Sequence, residues 1–243
     1  MFSARRLLAI APLLACLSLP SVAQPSSPAY SFPQLGGPET PAAGQTDRYS
    51  DEELDTLLKP LALFPDPLLA QILPAATFPD QVRAAGLWLQ ANPGGNVDSQ
   101  PWDDSVKAVA HYPTVLEQLN KDLDWTEAVG AAFSTQANEV TGSVQRLRRM
   151  AYDSGNLGSN AQQIVNDDEN YLTIMPPTNQ VVYVPSYDPQ IAYGLRPVGY
   201  YAPMISFSIG YACGSWLSFG YDWLGGGCYR YPRGSYWGCN SGP

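Results

Sequence analysis

Ser50-Asp51-Glu52-Glu53-Leu54-Asp55-Thr56-Leu57-Leu58-Lys59-Pro60-Leu61-Ala62-Leu63-Phe64-Pro65-Asp66 opens the folded part of the chain, and its reading decides the architecture. Ser50 followed three residues on by Glu53 is a capping box, and Leu54, Leu57, Leu58 and Leu61 come after it at helical spacing. The stretch closes on an aromatic residue, a proline and an aspartate. That pattern returns in Thr77-Phe78-Pro79-Asp80 and, with threonine last, in His111-Tyr112-Pro113-Thr114. Proline pushes the residue before it out of the α region but suits a helix's first turn, so each motif ends one helix and starts the next. The ring fills the inside of the corner. Apolar residues at helical spacing follow each corner: Leu68, Leu69 and Ile72; Val82, Leu87 and Leu89; Val115, Leu116 and Leu119. Residues 50–123 therefore read as short Pro-cornered helices. Uneven spacing of the corners, at Pro65, Pro79 and Pro113, argues against a solenoid repeat.

Beyond them the spacing predicts one long helix. Asp124-Trp125-Thr126-Glu127 reads as a second capping box, and Trp125, Val129, Phe133, Ala137, Val140, Val144, Leu147 and Ala151 form an apolar stripe. Arg146, Arg148 and Arg149 suit the helix C-terminus, and Gly155 or Asn156 should stop it. The period then changes. Tyr171-Leu172-Thr173-Ile174 and Val181-Val182-Tyr183-Val184, separated by Pro176-Pro177-Thr178-Asn179, read as the two arms of a β-hairpin. In the tail Ile205, Phe207, Ile209, Tyr211, Cys213, Leu217, Phe219 and Tyr221 alternate with small or polar residues, which predicts extended strand with one apolar face. Trp216 breaks the alternation as a turn or an outward ring. A rival reading makes Gly210 and Gly214 a close helix-packing motif. The expected fold is α+β: a mainly helical domain over 50–156, a linker and β-hairpin module over 157–196, and a Gly/aromatic-rich, β-prone tail over 197–243.

The N-terminus carries an address. Arg5 and Arg6 precede an apolar run over 7–19, and Ser21-Val22-Ala23 places small residues before Gln24, which reads as a signal peptide over 1–23. Leu13-Leu14-Ala15-Cys16 also resembles a lipobox, with Cys16 as the alternative, lipidated first residue. Residues 24–49 read as a flexible linker rich in Pro, Ser, Gly and Ala. The expected location is periplasmic or secreted, or membrane-anchored if Cys16 is lipidated. Residues 47–190 carry eight basic against twenty acidic side chains, whereas 191–243 carry three against one. An acidic body argues against a nucleic-acid partner, whose phosphates demand a basic face. After cleavage at either site no two of Cys213, Cys228 and Cys239 form a C-x-x-C pair, so a zinc site is disfavoured and Cys228–Cys239 is the preferred bridge.

Several of these segments together resemble the bacterial domain of unknown function 3300 family. The resemblance rests on Leu57-Leu58-Lys59-Pro60-Leu61-Ala62-Leu63-Phe64-Pro65-Asp66-Pro67-Leu68-Leu69-Ala70-Gln71-Ile72-Leu73 and Trp88-Leu89-Gln90-Ala91-Asn92-Pro93. Trp102-Asp103, Leu123-Asp124-Trp125-Thr126 and Val181-Val182-Tyr183-Val184-Pro185 with Tyr187-Asp188-Pro189 extend it. The resemblance implies an exported bacterial protein and supplies no catalytic residue.

Four groups are candidates for function. Asp66 and Asp80 could act as the paired acid and base of a wall hydrolase, but an aspartate after a helix-starting proline is accounted for by the helix dipole. His111 would have to serve any Ser/His or Cys/His mechanism, and its corner position suggests packing instead. Asp167-Asp168-Glu169 with Asn166 and Asn170 offers oxygen ligands for calcium, yet lacks the spacing of a calcium loop and reads as an acidic turn. The tail, with 13 aromatic residues and 11 glycines over 191–243, is the best binding candidate through Trp216, Trp223, Tyr229, Tyr231 and Trp237. We expect no cofactor and no metal, and a binding or scaffolding role rather than an enzyme. The expected partners are cell-wall glycan, a membrane surface or another envelope protein, with an envelope-acting hydrolase as the alternative.

Overall fold

Ser50 caps the first helix as expected. Its Oγ accepts from the Glu53 N–H at 3.3 Å while the Glu53 carboxylate accepts from the Ser50 N–H at 2.8 Å, and helix α1 (Asp51–Leu58) buries Leu54 and Leu58. The computed structural model describes residues 48–168, 170–196, 198–199 and 202–238. The expected signal peptide over 1–23, Cys16, the expected linker as far as residue 47, Glu169 and Cys239 lie outside the described residues.

The aromatic-proline corners form as read. Pro65 precedes α2 (Asp66–Ala76), and Pro79 and Pro113 open α3 (Pro79–Ala91) and α5 (Pro113–Lys121), with α4 (Asp104–Ala110) between them. Phe78 and Tyr112, at ψ of 58° and 80°, are held out of the α region by the following proline. Phe64 and Tyr112 are buried in their corners. Helix α2 is the centre of the molecule: ten of its residues are buried, and it packs on α4, α6 and the C-terminal strands.

The long helix is broken. Asp122, not Asp124, is the N-cap, its carboxylate accepting from the Trp125 N–H at 3.0 Å, and α6 (Leu123–Thr135) ends before α7 (Ala137–Asp153) begins. Ser134 and Thr135 each bond the carbonyl four residues back, at Gly130 and Ala131, which bends a helix. Gln136 then leaves the helix at φ −141°, ψ 43°, and its amide grips the Tyr49 backbone, accepting from N–H at 2.6 Å and donating to C=O at 2.9 Å. The apolar stripe survives the break because both halves face one core. Gly155, at φ 71°, stops α7 as expected.

A hairpin follows, with different arms from those expected. β2 (Tyr171–Met175) pairs antiparallel with the preceding β1 (Ile164–Asp168), and the polar stretch 166–168 is strand rather than turn. Val181-Val182 instead becomes β3 (Val181–Val182) and pairs with β6 (Tyr211–Ala212) in the tail, while β4 (Pro185–Tyr187) pairs with β5 (Ile205–Phe207). The register slips by one residue between the two ladders, so the tail strand carries a bulge at 208–210. Gly210 is needed there, since a Cβ would strike Val181 and the Tyr183 ring. This bulge turns Ile209 out to 80% exposure and divides the predicted long strand.

The chain closes with hairpin β7 (Phe219–Asp222) and β8 (Gly227–Arg230). Their inner face lies on α2: the Gln71 amide donates to the Phe219 carbonyl at 2.8 Å, and Leu217 is buried. The described parts of 50–156, 157–196 and 197–243 therefore share one core, and the tail is not an appendage.

Candidate functional site

Burial removes Asp66, the first of the sequence's acidic candidates, from the surface. Asp66 is 4% exposed, and Arg148, from the fourth turn of α7, is fully buried. The Arg148 guanidinium meets the Asp66 carboxylate at 2.6 Å and donates to the carbonyls of Ala62, Phe64 and Leu172 at 2.8–2.9 Å. Asp66 also accepts from the Ile174 N–H and from the Trp223 indole N–H, at 3.2 and 2.8 Å, and the Trp223 ring covers the guanidinium at 4.6 Å. Burial pushes the Asp66 carboxyl above its usual range, against the pull of Arg148 and the two N–H donors. Arg148 is thus a central strut rather than a helix-terminal surface charge. Arg146 and Arg149, its neighbours, reach Asp55 and Asp167 outside the core.

Asp80, by contrast, is exposed and pairs with Arg83. Asp66 and Asp80 thus occupy opposite environments, with Asp66 sealed from any substrate. The carboxylate of Asp167 is filled by Arg149 through two bonds of 2.8 Å, which hold it well below the usual range. Its oxygens serve an ion pair rather than a cation site. His111 stacks on Trp216 at 3.8 Å between ring centroids and meets Asp98 at 2.9 Å, while the Trp216 indole donates to the Tyr112 hydroxyl at 3.1 Å. Trp216 lies in a turn closed by the Leu217 N–H on the Gly214 carbonyl at 3.0 Å, but its ring points inward as a strap across the third corner rather than outward. Cys213 and Cys228 are free thiols; burial pushes Cys213 up to about 11 and Cys228 further. Such groups stay protonated, the opposite of an activated nucleophile. The Cys228–Cys239 bridge involves a residue outside the described ones.

What remains open is the outer face of the last hairpin. Alternation turns Phe219, Tyr221 and Cys228 inward and Gly220, Asp222 and Tyr229 outward, with Tyr231 just beyond β8 meeting Tyr229. Tyr229 lies across its cross-strand partner Gly220, where a Cβ would collide with the ring. The Tyr229 and Tyr231 rings meet edge to face, 5.2 Å apart at 74°. An open cavity of about 490 Å³ lies beside Tyr229, walled by Phe133, Pro74 and the Gly225-Gly226-Gly227 turn, with Asp222 and Ser134 on its rim. A second, of about 440 Å³, is lined by Tyr231, Tyr236 and Trp237 against Pro176, Pro177 and Asn179. Trp237 is held there by its N–H to the Leu217 carbonyl, at 2.9 Å.

Residues 50–240 match the family described as protein of unknown function, DUF3300. The chain belongs to that family. It is 31% identical to the uncharacterized protein YacH of Escherichia coli (strain K12) over 196 residues, which cover 65% of this chain and 32% of that protein. The chain thus spans about a third of that relative's length. No solved structure matches.

Of the five tail aromatics singled out in the sequence, Tyr229, Tyr231 and Trp237 come together on this face. Trp216 and Trp223 do not; they pack inward on His111 and Arg148. Phe133 read as core because it lies on the stripe of α6, yet the helix break leaves it half-buried on a cavity wall. Asp222 carried no motif. Only its place at the end of an outward-facing strand gives it significance. Among the described residues, no helix is long and apolar enough to cross a membrane, and no three His, Cys, Asp or Glu cluster as metal ligands.

Proposed function

We propose that this is an exported envelope protein that binds a component of the cell envelope along the outer face of its C-terminal hairpin. Two open cavities, one lined by Tyr229 and the other by Tyr231, with the two rings in contact, carry the reading. Part-exposed rings on a core-anchored hairpin lose little freedom on binding, which is what a recognition surface needs. Export is supported by the leader pattern over 1–23. Binding is favoured over hydrolysis because Asp66, the carboxylate best placed by sequence to be an acid, is enclosed by Arg148, Trp223 and Ile174.

Cell fractionation with sedimentation against purified wall and membrane tests the reading. The full chain is expected in the envelope fraction, and Tyr231→Ala and Tyr236→Ala variants that melt like wild type are expected to lose that association. Variants that still sediment with the envelope would overturn the binding face. Intact mass tests export: a mature chain beginning at Gln24, or at a lipidated Cys16, is expected, and an unprocessed chain would refute it.

A further inference from the structure

We propose that the two cavities form one site for a linear glycan, a chain of pyranose rings lying across the Tyr229–Tyr231 pair with a sugar hydroxyl held by Asp222. This rests on the binding face proposed above. With the two rings at 74°, a ligand lying flat on one tyrosine meets the edge and hydroxyl of the other, so the pair presents a stacking face and a polar rim together. A pyranose has the complementary shape, an apolar C–H face bounded by hydroxyls. Burial pushes the Tyr231 hydroxyl upward, so it stays a neutral donor and acceptor.

Asp222 supplies the second element. Its Oδ1 accepts from the N–H groups of Leu224 and Gly225 at 3.1 and 2.9 Å, which fixes the carboxylate in the turn. The Oδ2 lies against Gly225, where a Cβ would collide with it, and the side chain stands exposed on the cavity rim. A carboxylate held by its other oxygen is a preorganised acceptor for ligand O–H donors. The Ser134 hydroxyl, on the same rim, donates to the Gly130 carbonyl at 2.8 Å and so turns its lone pairs toward a ligand.

The third element is extent. Tyr229 lines the cavity of about 490 Å³ and Tyr231 the one of about 440 Å³, both are open, and the two rings touch each other. A single sugar fills one and leaves the other empty, whereas a chain gains both. Binding should therefore grow with chain length, because a second subsite engaged by a linked unit adds without a second encounter.

Titration of the full mature chain with chitobiose, chitohexaose and cellohexaose tests this. At least one hexasaccharide is expected to bind, and chitobiose to bind about tenfold or more weakly than chitohexaose, a difference of about 1.4 kcal/mol. Tyr231→Ala should weaken chitohexaose about tenfold or more and so remove the length advantage. Asp222→Asn, which keeps an oxygen for the turn but replaces Oδ2 by a donor, should weaken every glycan about tenfold. Affinity independent of length, or unaltered by Asp222→Asn, would overturn the site. If no saccharide binds while envelope sedimentation still depends on Tyr231, the glycan assignment fails and the binding face stands; if sedimentation is indifferent to Tyr231, the face itself fails.

Discussion

Arg148 shows how a single buried charge ties the chain together. Its guanidinium reaches the carbonyls of the turn before α2, the Asp66 carboxylate at the start of α2 and the Leu172 carbonyl of β2, and Trp223 seals it from the tail. An ion pair so enclosed is weak evidence of stability in itself, but removing one partner strands the other charge away from water. Arg148→Met should therefore cost about 3–5 kcal/mol in urea unfolding. Arg148→Met combined with Asp66→Leu should cost clearly less than Arg148→Met alone, because no charge is left behind. If the double variant is as unstable as the single one, the carbonyl bonds of Arg148 rather than its charge hold the strut in place.

At the scale of elements, the break between α6 and α7 sets where the N-terminal end of the fold is fastened. Gln136 satisfies the backbone of Tyr49 in both directions, while α6 crosses α2 so closely that a Cβ at Gly130 would collide with the Ala76 carbonyl. Gln136 is only 3% exposed, so its replacement strands the Tyr49 N–H and C=O without partners. Gln136→Ala is expected to cost about 1–3 kcal/mol. Hydrogen exchange should show the loss first at Tyr49 and the start of α1. An unchanged melting temperature would mean that water replaces the amide at no cost.

For the whole molecule, the question is whether the tail can be removed. Leu217 is buried, Gln71 of α2 pairs with the Phe219 backbone, Tyr221 meets Thr141 at 2.9 Å, and Trp223 closes the Arg148–Asp66 pair. A chain truncated after Arg196 loses these contacts and exposes a buried ion pair beside the central helix. It is expected to keep helical far-UV circular dichroism but to lose near-UV signal and cooperative melting. A truncated protein that melts cooperatively would show that the helices alone make a core. This is why the binding experiments above use point variants on the outward face rather than deletion of the tail.

By itself the sequence determined what neighbours along the chain decide: the Ser50–Glu53 cap, the helix starts at Pro65, Pro79 and Pro113, the Gly155 stop and the strand character of 171–174. Each rests on sterics or hydrogen bonds reaching no more than a turn of backbone. It also carried the aromatic wealth of the tail, and with it three of the rings on the candidate face. Only the tertiary structure decided who pairs with whom. Val181-Val182 could join any strand of matching polarity, and it took Tyr211-Ala212 across the bulge at Gly210 rather than the nearer Tyr171–Ile174 segment. Arg148 looked like a surface charge until three distant carbonyls and Asp66 enclosed it, and Trp216, Trp223, Tyr229 and Tyr231 looked alike until their packing partners divided them. Local geometry is written in adjacent residues, whereas the face a side chain presents depends on partners supplied by distant segments of the chain.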